Sequence, residues 1–175
     1  MAYKRSRFKS SKNIVITKKK NNGRINSKSV VVYGVELKSI LEGNIYKYMV
    51  DNGFNIQYEP QSFLLWKGGP THTPFYNAKK GDLKCFKSDL EDITYKPDFI
   101  FTHNGRIVFV EAKGIENDGF PIRKKLFRRQ LDESFNPGEA LFFEIHSMKH
   151  LKNMLEILEY GKIITKSKKT VKNEK

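Results

Sequence analysis

The sequence predicts an α/β fold whose elements run helix, three strands, helix, strand, helix, with basic flexible tails at both ends. Three patterns carry this reading. Ser39 to Asp51 repeats apolar residues at helical spacing behind a capping sequence. Phe99-Ile100-Phe101 and Ile107-Val108-Phe109-Val110 are short apolar runs on either side of His103-Asn104-Gly105, which is the pattern of a β-hairpin. Beyond Gly114, a helix start at Phe120-Pro121, an apolar run ALFFEI and an amphipathic MKHLKNMLEILEY follow one another with turn signals between them.

Composition bounds the partners. With 175 residues, 38% of them hydrophobic and 13% aromatic, the chain can build one domain with a filled core. The formal charge of +14 and the isoelectric point near 9.7 attract polyanions, of which nucleic acid is the commonest. A membrane surface competes on charge, but there is no apolar run of membrane length and no signal-peptide pattern. Cys85 is the only cysteine, so neither an internal disulfide nor a cysteine-based metal site is expected. An intracellular, reducing location is the default expectation. On charge alone, a basic ribosomal-type or structural binding protein stays open.

The elements can be justified in order. Residues 1–29 hold ten Lys and Arg, among them Lys18, Lys19 and Lys20, and no acidic residue. With Ile14-Val15-Ile16 as its only apolar cluster, this stretch predicts a flexible basic arm that grips DNA through counterion release, or else merely solubilises the chain. The domain is expected over 30–160, opening with a short strand at Val30 to Tyr33. Ser39-Ile40-Leu41-Glu42 is a capping box, and Leu41, Ile45, Tyr48 and Met49 make one apolar helix face. Phe54 to Trp66 predicts an extended strand with Pro60 at a bend. Residues 67–94 predict a long polar insertion loop, in which His72 and Cys85 lack partners at metal-ligand spacing. In the helix after Phe120, Ile122, Leu126, Arg129, Gln130 and Glu133 fall along one side. Its basic residues are Arg123, Lys124, Lys125, Arg128 and Arg129. Residues 161–175 form a second lysine-rich tail.

The chemistry concentrates on the hairpin. Asp98 opens its first strand behind Pro97, while Glu111 and Lys113 close the second. The strand period of two puts Glu111 and Lys113 on one face, and antiparallel pairing brings Asp98 beside them. Carboxylates at the edge of an apolar sheet are costly unless compensated, and a divalent cation on oxygen ligands compensates them. An acidic-x-Lys triplet alone arises roughly once by chance in a chain of this size. A Pro-Asp opening one strand and a Glu-x-Lys closing its partner is far more specific than the triplet. The competing reading is an ordinary hairpin with solvated charges at its ends. For Glu42 the commonest role of such a residue is that of a cap alone; its position next to the apolar stripe leaves a second reading, in which it leans toward the sheet and the same metal.

The segments Lys38-Ser39-Ile40-Leu41-Glu42, Gln57-Tyr58-Glu59, Tyr95-Lys96-Pro97-Asp98-Phe99, Val110-Glu111-Ala112-Lys113-Gly114 and Arg123-Lys124-Lys125 together resemble a known set of motifs. In this order they are similar to the phage endonuclease I family of Holliday-junction resolvases, within the PD-(D/E)xK nucleases. The match spans about Lys38 to Arg129. The resemblance implies a restriction-endonuclease-like core, with Glu42, Asp98 and Glu111 holding Mg²⁺, Mn²⁺ substituting for it, and Lys113 serving the attacking water or the phosphate. Lys38 and the helix cations would then contact DNA. It also implies a homodimer, because two symmetric cuts need a two-fold partner, and a host-cytoplasm location if the chain is phage-encoded. The expected activity is Mg²⁺-dependent endonucleolysis of branched DNA. A duplex- or end-specific nuclease of the same fold, or a catalytically silent DNA-binding or virion protein, remains an alternative. The insertion at 67–94, the longer turn between Asp98 and Glu111, and the basic tails depart from the family pattern and leave the substrate open.

Overall fold

This computed structural model describes residues 14–16, 28–78, 80–86, 89–114 and 119–160. It is a mixed α/β structure with three helices and several small sheets among those residues. The centre is the hairpin of β9 (Phe99–His103) and β10 (Arg106–Ala112). Asn104 and Gly105 join these strands with φ of 48° and 75°, the two positive values that a type I′ turn requires. The hairpin is thereby fixed in register, with His103 opposite Arg106 and Phe99 opposite Val110.

β11 (Ala140–Ile145) pairs parallel to β10, and β4 (Gln57–Tyr58) pairs antiparallel to β9. The sheet order is therefore β11-β10-β9-β4. Both faces are covered. On one, Phe99, Phe101, Val108, Val110 and Ile145 meet Ile45 and Met49 of α1 (Ile40–Asp51) and Leu151, Met154 and Leu158 of α3 (Met148–Tyr160). On the other, Phe109 meets Phe120, Phe127 and Leu131 of α2 (Phe120–Ser134), with Tyr95 alongside. This two-sided cover explains the continuous apolar runs in β9 and β10.

Several expectations change in detail. The capped helix begins where expected, with Ser39 at the N-cap accepting from the Glu42 backbone N–H. The strand at Val30 is half of a hairpin: β2 (Val30–Val32) turns through Tyr33 and Gly34, both at positive φ, into β3 (Val35–Leu37). β1 (Ile14–Ile16) pairs with β2, so the one apolar cluster of the basic arm belongs to this sheet. The rest of the arm through residue 27, including Lys18, Lys19 and Lys20, lies outside the described residues, as does the tail from 161. α1 lies hard against β2, because a Cβ on Gly43 would come within 2.4 Å of Val30 Cγ2.

The single strand expected over Phe54 to Trp66 is two. Glu59 adopts φ of 43° and Pro60 follows, so β4 ends and β5 (Phe63–Trp66) leaves for a separate pairing with β8 (Ile93–Tyr95). The insertion between them is not wholly irregular: β6 (Phe75–Asn77) and β7 (Lys84–Phe86) form an exposed ribbon. In α2 the packed side is Phe120, Phe127 and Leu131. The side running through Ile122 is the outer one, and Ile122 is 62% exposed. The run from Phe120 through Phe127 to Leu131 advances by seven and then four residues, which is close to two turns and then one, so the large aromatic groups select the buried side.

Candidate functional site

Side chains at odd positions of β10 face α2. Glu111 follows Phe109 on that face and is 5% exposed, while Lys113 comes two residues later, just past the strand. Lys113 Nζ pairs with Glu111 Oε1 at 3.0 Å and lies 4.0 Å from the centre of the Phe120 ring. The other Glu111 oxygen accepts from Tyr95 OH at 2.6 Å. Burial, and then the facing Glu111 charge, hold the Tyr95 phenol protonated far above its ordinary range. The structure thus brings Glu111 and Lys113 together as the period of two predicts.

Asp98 stands one residue before Phe99, whose pairing with Val110 closes the hairpin ladder, so it flanks Glu111 across the two strands. Its Oδ2 accepts from the Ala112 backbone N–H at 2.7 Å. Burial raises the Asp98 carboxyl to about 8, and repulsion from Glu111 and then Glu42 adds to the rise. The Ala112 N–H and Lys113 oppose it only in part.

Glu42 reaches the same edge from α1, on the opposite side of the sheet, and is 6% exposed. Its carboxylate accepts from the Lys38 backbone N–H at 3.0 Å, from Ser39 Oγ at 2.7 Å and from Tyr58 OH at 2.7 Å. The capping role and the inward position therefore coexist in one side chain. Burial and the Glu42 contact likewise keep Tyr58 protonated. Lys38 Nζ is exposed and ion-paired to Glu59, whose backbone N–H donates to the Asp98 carbonyl at 2.8 Å.

Among the described residues, no group of three or more His, Cys, Asp or Glu is arranged to hold a metal ion as the side chains stand. The oxygens of Glu42 and Glu111 are engaged by hydroxyl, amide and ammonium donors. The donor set nonetheless fits a hard divalent cation. It consists of oxygens only, and burial first, then the charges of Glu111 and Glu42, disfavour the ionised form of Asp98, a cost that a cation would offset. Glu42, Asp98 and Glu111 are the residues that would hold such an ion.

The expected DNA contacts are dispersed. Lys125 and Arg128 are exposed, Arg123 is half-buried, and Arg129 is tied to Glu133 at 2.6 Å. Lys124 alone among them turns to the site. It pairs with Glu144 Oε2 at 2.7 Å and lies 4.9 Å from the Phe120 ring that also carries Lys113. Sequence reasoning misses Glu144, although it is the lone charge in an otherwise apolar ALFFEI run. Tyr58 and Tyr95 carry no signal separable from core aromatics. Residues 30–160 hold 17 Lys and Arg against 18 Asp and Glu, so the positive excess of the chain sits in residues 1–29 and 161–175.

No protein-family model, curated protein or solved structure matches this chain. Among the described residues no helix is long and apolar enough to cross a membrane.

Proposed function

We propose that this chain is a Mg²⁺-dependent DNA endonuclease with a restriction-endonuclease-like core, acting on branched DNA such as four-way junctions. The observation that carries the reading is the juxtaposition of Asp98, Glu111 and Lys113 at one sheet edge, with Glu42 brought to Asp98 by α1. The order α1, β4, β9, β10, α2, β11, α3 supports the assignment, as do the motifs from Lys38 to Arg129.

When bound, the ion supplies Lewis acidity at the phosphate and lowers the pKa of a water. The residues do the rest. Glu42, Asp98 and Glu111 present the oxygens. Tyr58 and Tyr95 hold two of these carboxylates in place. Lys113, steadied by Glu111 and by the Phe120 ring, is aimed at the water or at a non-bridging oxygen as charge develops. The paired cuts that resolve a junction call for a two-fold dimer. The tails supply most of the attraction to phosphates.

The test is incubation with a four-way junction and with a linear duplex of matched sequence, in Mg²⁺ or EDTA. Cutting of the junction in Mg²⁺ alone is the expected result. Cutting of the duplex at an equal rate would move the substrate to ordinary DNA, and no cutting of either would remove the nuclease reading.

A further inference from the structure

The parallel pairing of β10 and β11 sets Glu111 beside Glu144 and Ala112 beside Ile145. The register runs on, since the Lys113 backbone N–H donates to the Ile145 carbonyl at 2.8 Å. Glu111-Ala112-Lys113 therefore lies alongside Glu144-Ile145-His146, one strand spacing away, about 4.8 Å. Both triplets place their acid on the face toward α2 and their base just past the end of the strand. Both acids hold their base at 3.0 Å: Lys113 Nζ to Glu111 Oε1, and His146 Nε2 to Glu144 Oε1. Glu144 also holds Lys124, and Lys124 and Lys113 share the Phe120 ring.

We infer that His146 is the proton donor to the departing deoxyribose oxygen, with Glu144 as the residue that positions it. The inference rests on the nuclease reading above. An in-line displacement puts attacking and departing oxygens on opposite sides of phosphorus, so the groups serving them must stand a few ångströms apart. Adjacent strands provide that separation. His146 Nε2 lies 3.0 Å from Glu144 Oε1, which leaves Nδ1 as the ring nitrogen not facing that carboxylate. The side chain is 41% exposed, and among the described residues no hydrogen bond engages Nδ1. His150 packs edge-on against the ring, 5.8 Å between centroids, and its Nδ1 accepts from the His146 backbone N–H at 3.3 Å.

The step balances. Water oxygen bonds to phosphorus while its proton leaves to solvent. The bond from phosphorus to the deoxyribose oxygen breaks with its electron pair on that oxygen. The imidazolium, charge-compensated by Glu144, gives its Nδ1 proton there and is reprotonated from solvent.

The experiment compares junctions carrying oxygen or sulfur at the scissile bridging position, because a thiolate departs without a proton donor. His146→Ala and His146→Gln should cut the oxygen substrate roughly 100-fold or more slowly than wild type. They should match wild type on the sulfur substrate and bind the junction equally in gel shift. Lys113→Ala should be slow on both. In the metal-free protein, ¹⁵N spectra should place the proton of the neutral His146 ring on Nε2, with Nδ1 gaining its proton only as the imidazolium forms, and Glu144→Gln should redistribute the neutral-ring proton. Unchanged cutting of the oxygen substrate, or an equal loss on both substrates, would overturn the role of His146 while leaving the nuclease intact. A wild type that cuts neither substrate would overturn the nuclease reading itself, and this inference with it.

Discussion

Replacing Asp98 with Asn should abolish cleavage and, without metal, stabilise the protein at alkaline pH. The carboxyl titrates near 8 in the folded chain against an ordinary value of 3.8, because burial and the charges of Glu111 and Glu42 disfavour its ionised form. The folded state therefore binds more protons than the unfolded state between those two values. Stability contributed by this group is full below about pH 4 and is lost as pH rises toward 8. At 1.36 kcal/mol per unit, the gap sets a ceiling on the order of 6 kcal/mol. Water reaching a partly exposed side chain lowers that, so about 1–3 kcal/mol is expected, or roughly 3–10 °C in melting temperature. The amide of the Asp98→Asn variant retains an oxygen to accept from the Ala112 N–H, which keeps the backbone hydrogen bond. Melting should be followed from pH 5 to 9 in EDTA and again in Mg²⁺. Wild type should lose stability with rising pH in EDTA, and Mg²⁺ should restore it through preferential binding to the folded state. Asp98→Asn should show a shallower pH dependence and no Mg²⁺ response. A variant that melts at or below the wild-type temperature at pH 9 in EDTA would refute the argument, since it would mean that Asp98 is not crowded by its neighbours.

Two further outcomes follow from the division between chemistry and binding. Lys113→Ala should lower the cleavage rate by about 100-fold or more while leaving the gel shift with a four-way junction nearly unchanged, because binding is spread over many cations; a variant cutting at the wild-type rate would remove Lys113 from the mechanism. Deleting residues 1–13, which spares β1, should weaken DNA binding and flatten its salt dependence, measured as log K against log salt. The slope should fall by roughly 0.9 for each phosphate that the shortened chain no longer neutralises. Cleavage at saturating enzyme should persist, and its loss in a folded deletion protein would place the arm in the active site or at a subunit contact.

What the sequence determined by itself is local. The Asn104-Gly105 turn sets the register of its own hairpin, and with it the meeting of Asp98, Glu111 and Lys113. Ser39 and Glu42 mark the start of α1, and Phe120-Pro121 marks that of α2, through backbone groups within one helical turn. Tertiary structure decided everything that depends on pairing between distant segments. Pro60 marks a bend, but nothing local reveals that β5 then leaves for β8 while Tyr58 stays to hold Glu42. Nor does any spacing show that β11 lies parallel to β10, which turns an isolated Glu144 into the neighbour of Glu111. Register between strands some thirty residues apart is set by which apolar faces the helices cover, and a one-residue slip would turn Glu144 and His146 to the other face. The carboxylates could be read from their own hairpin, whereas the tyrosines, Lys124 and His146 around them acquire their places only once the two cores have packed.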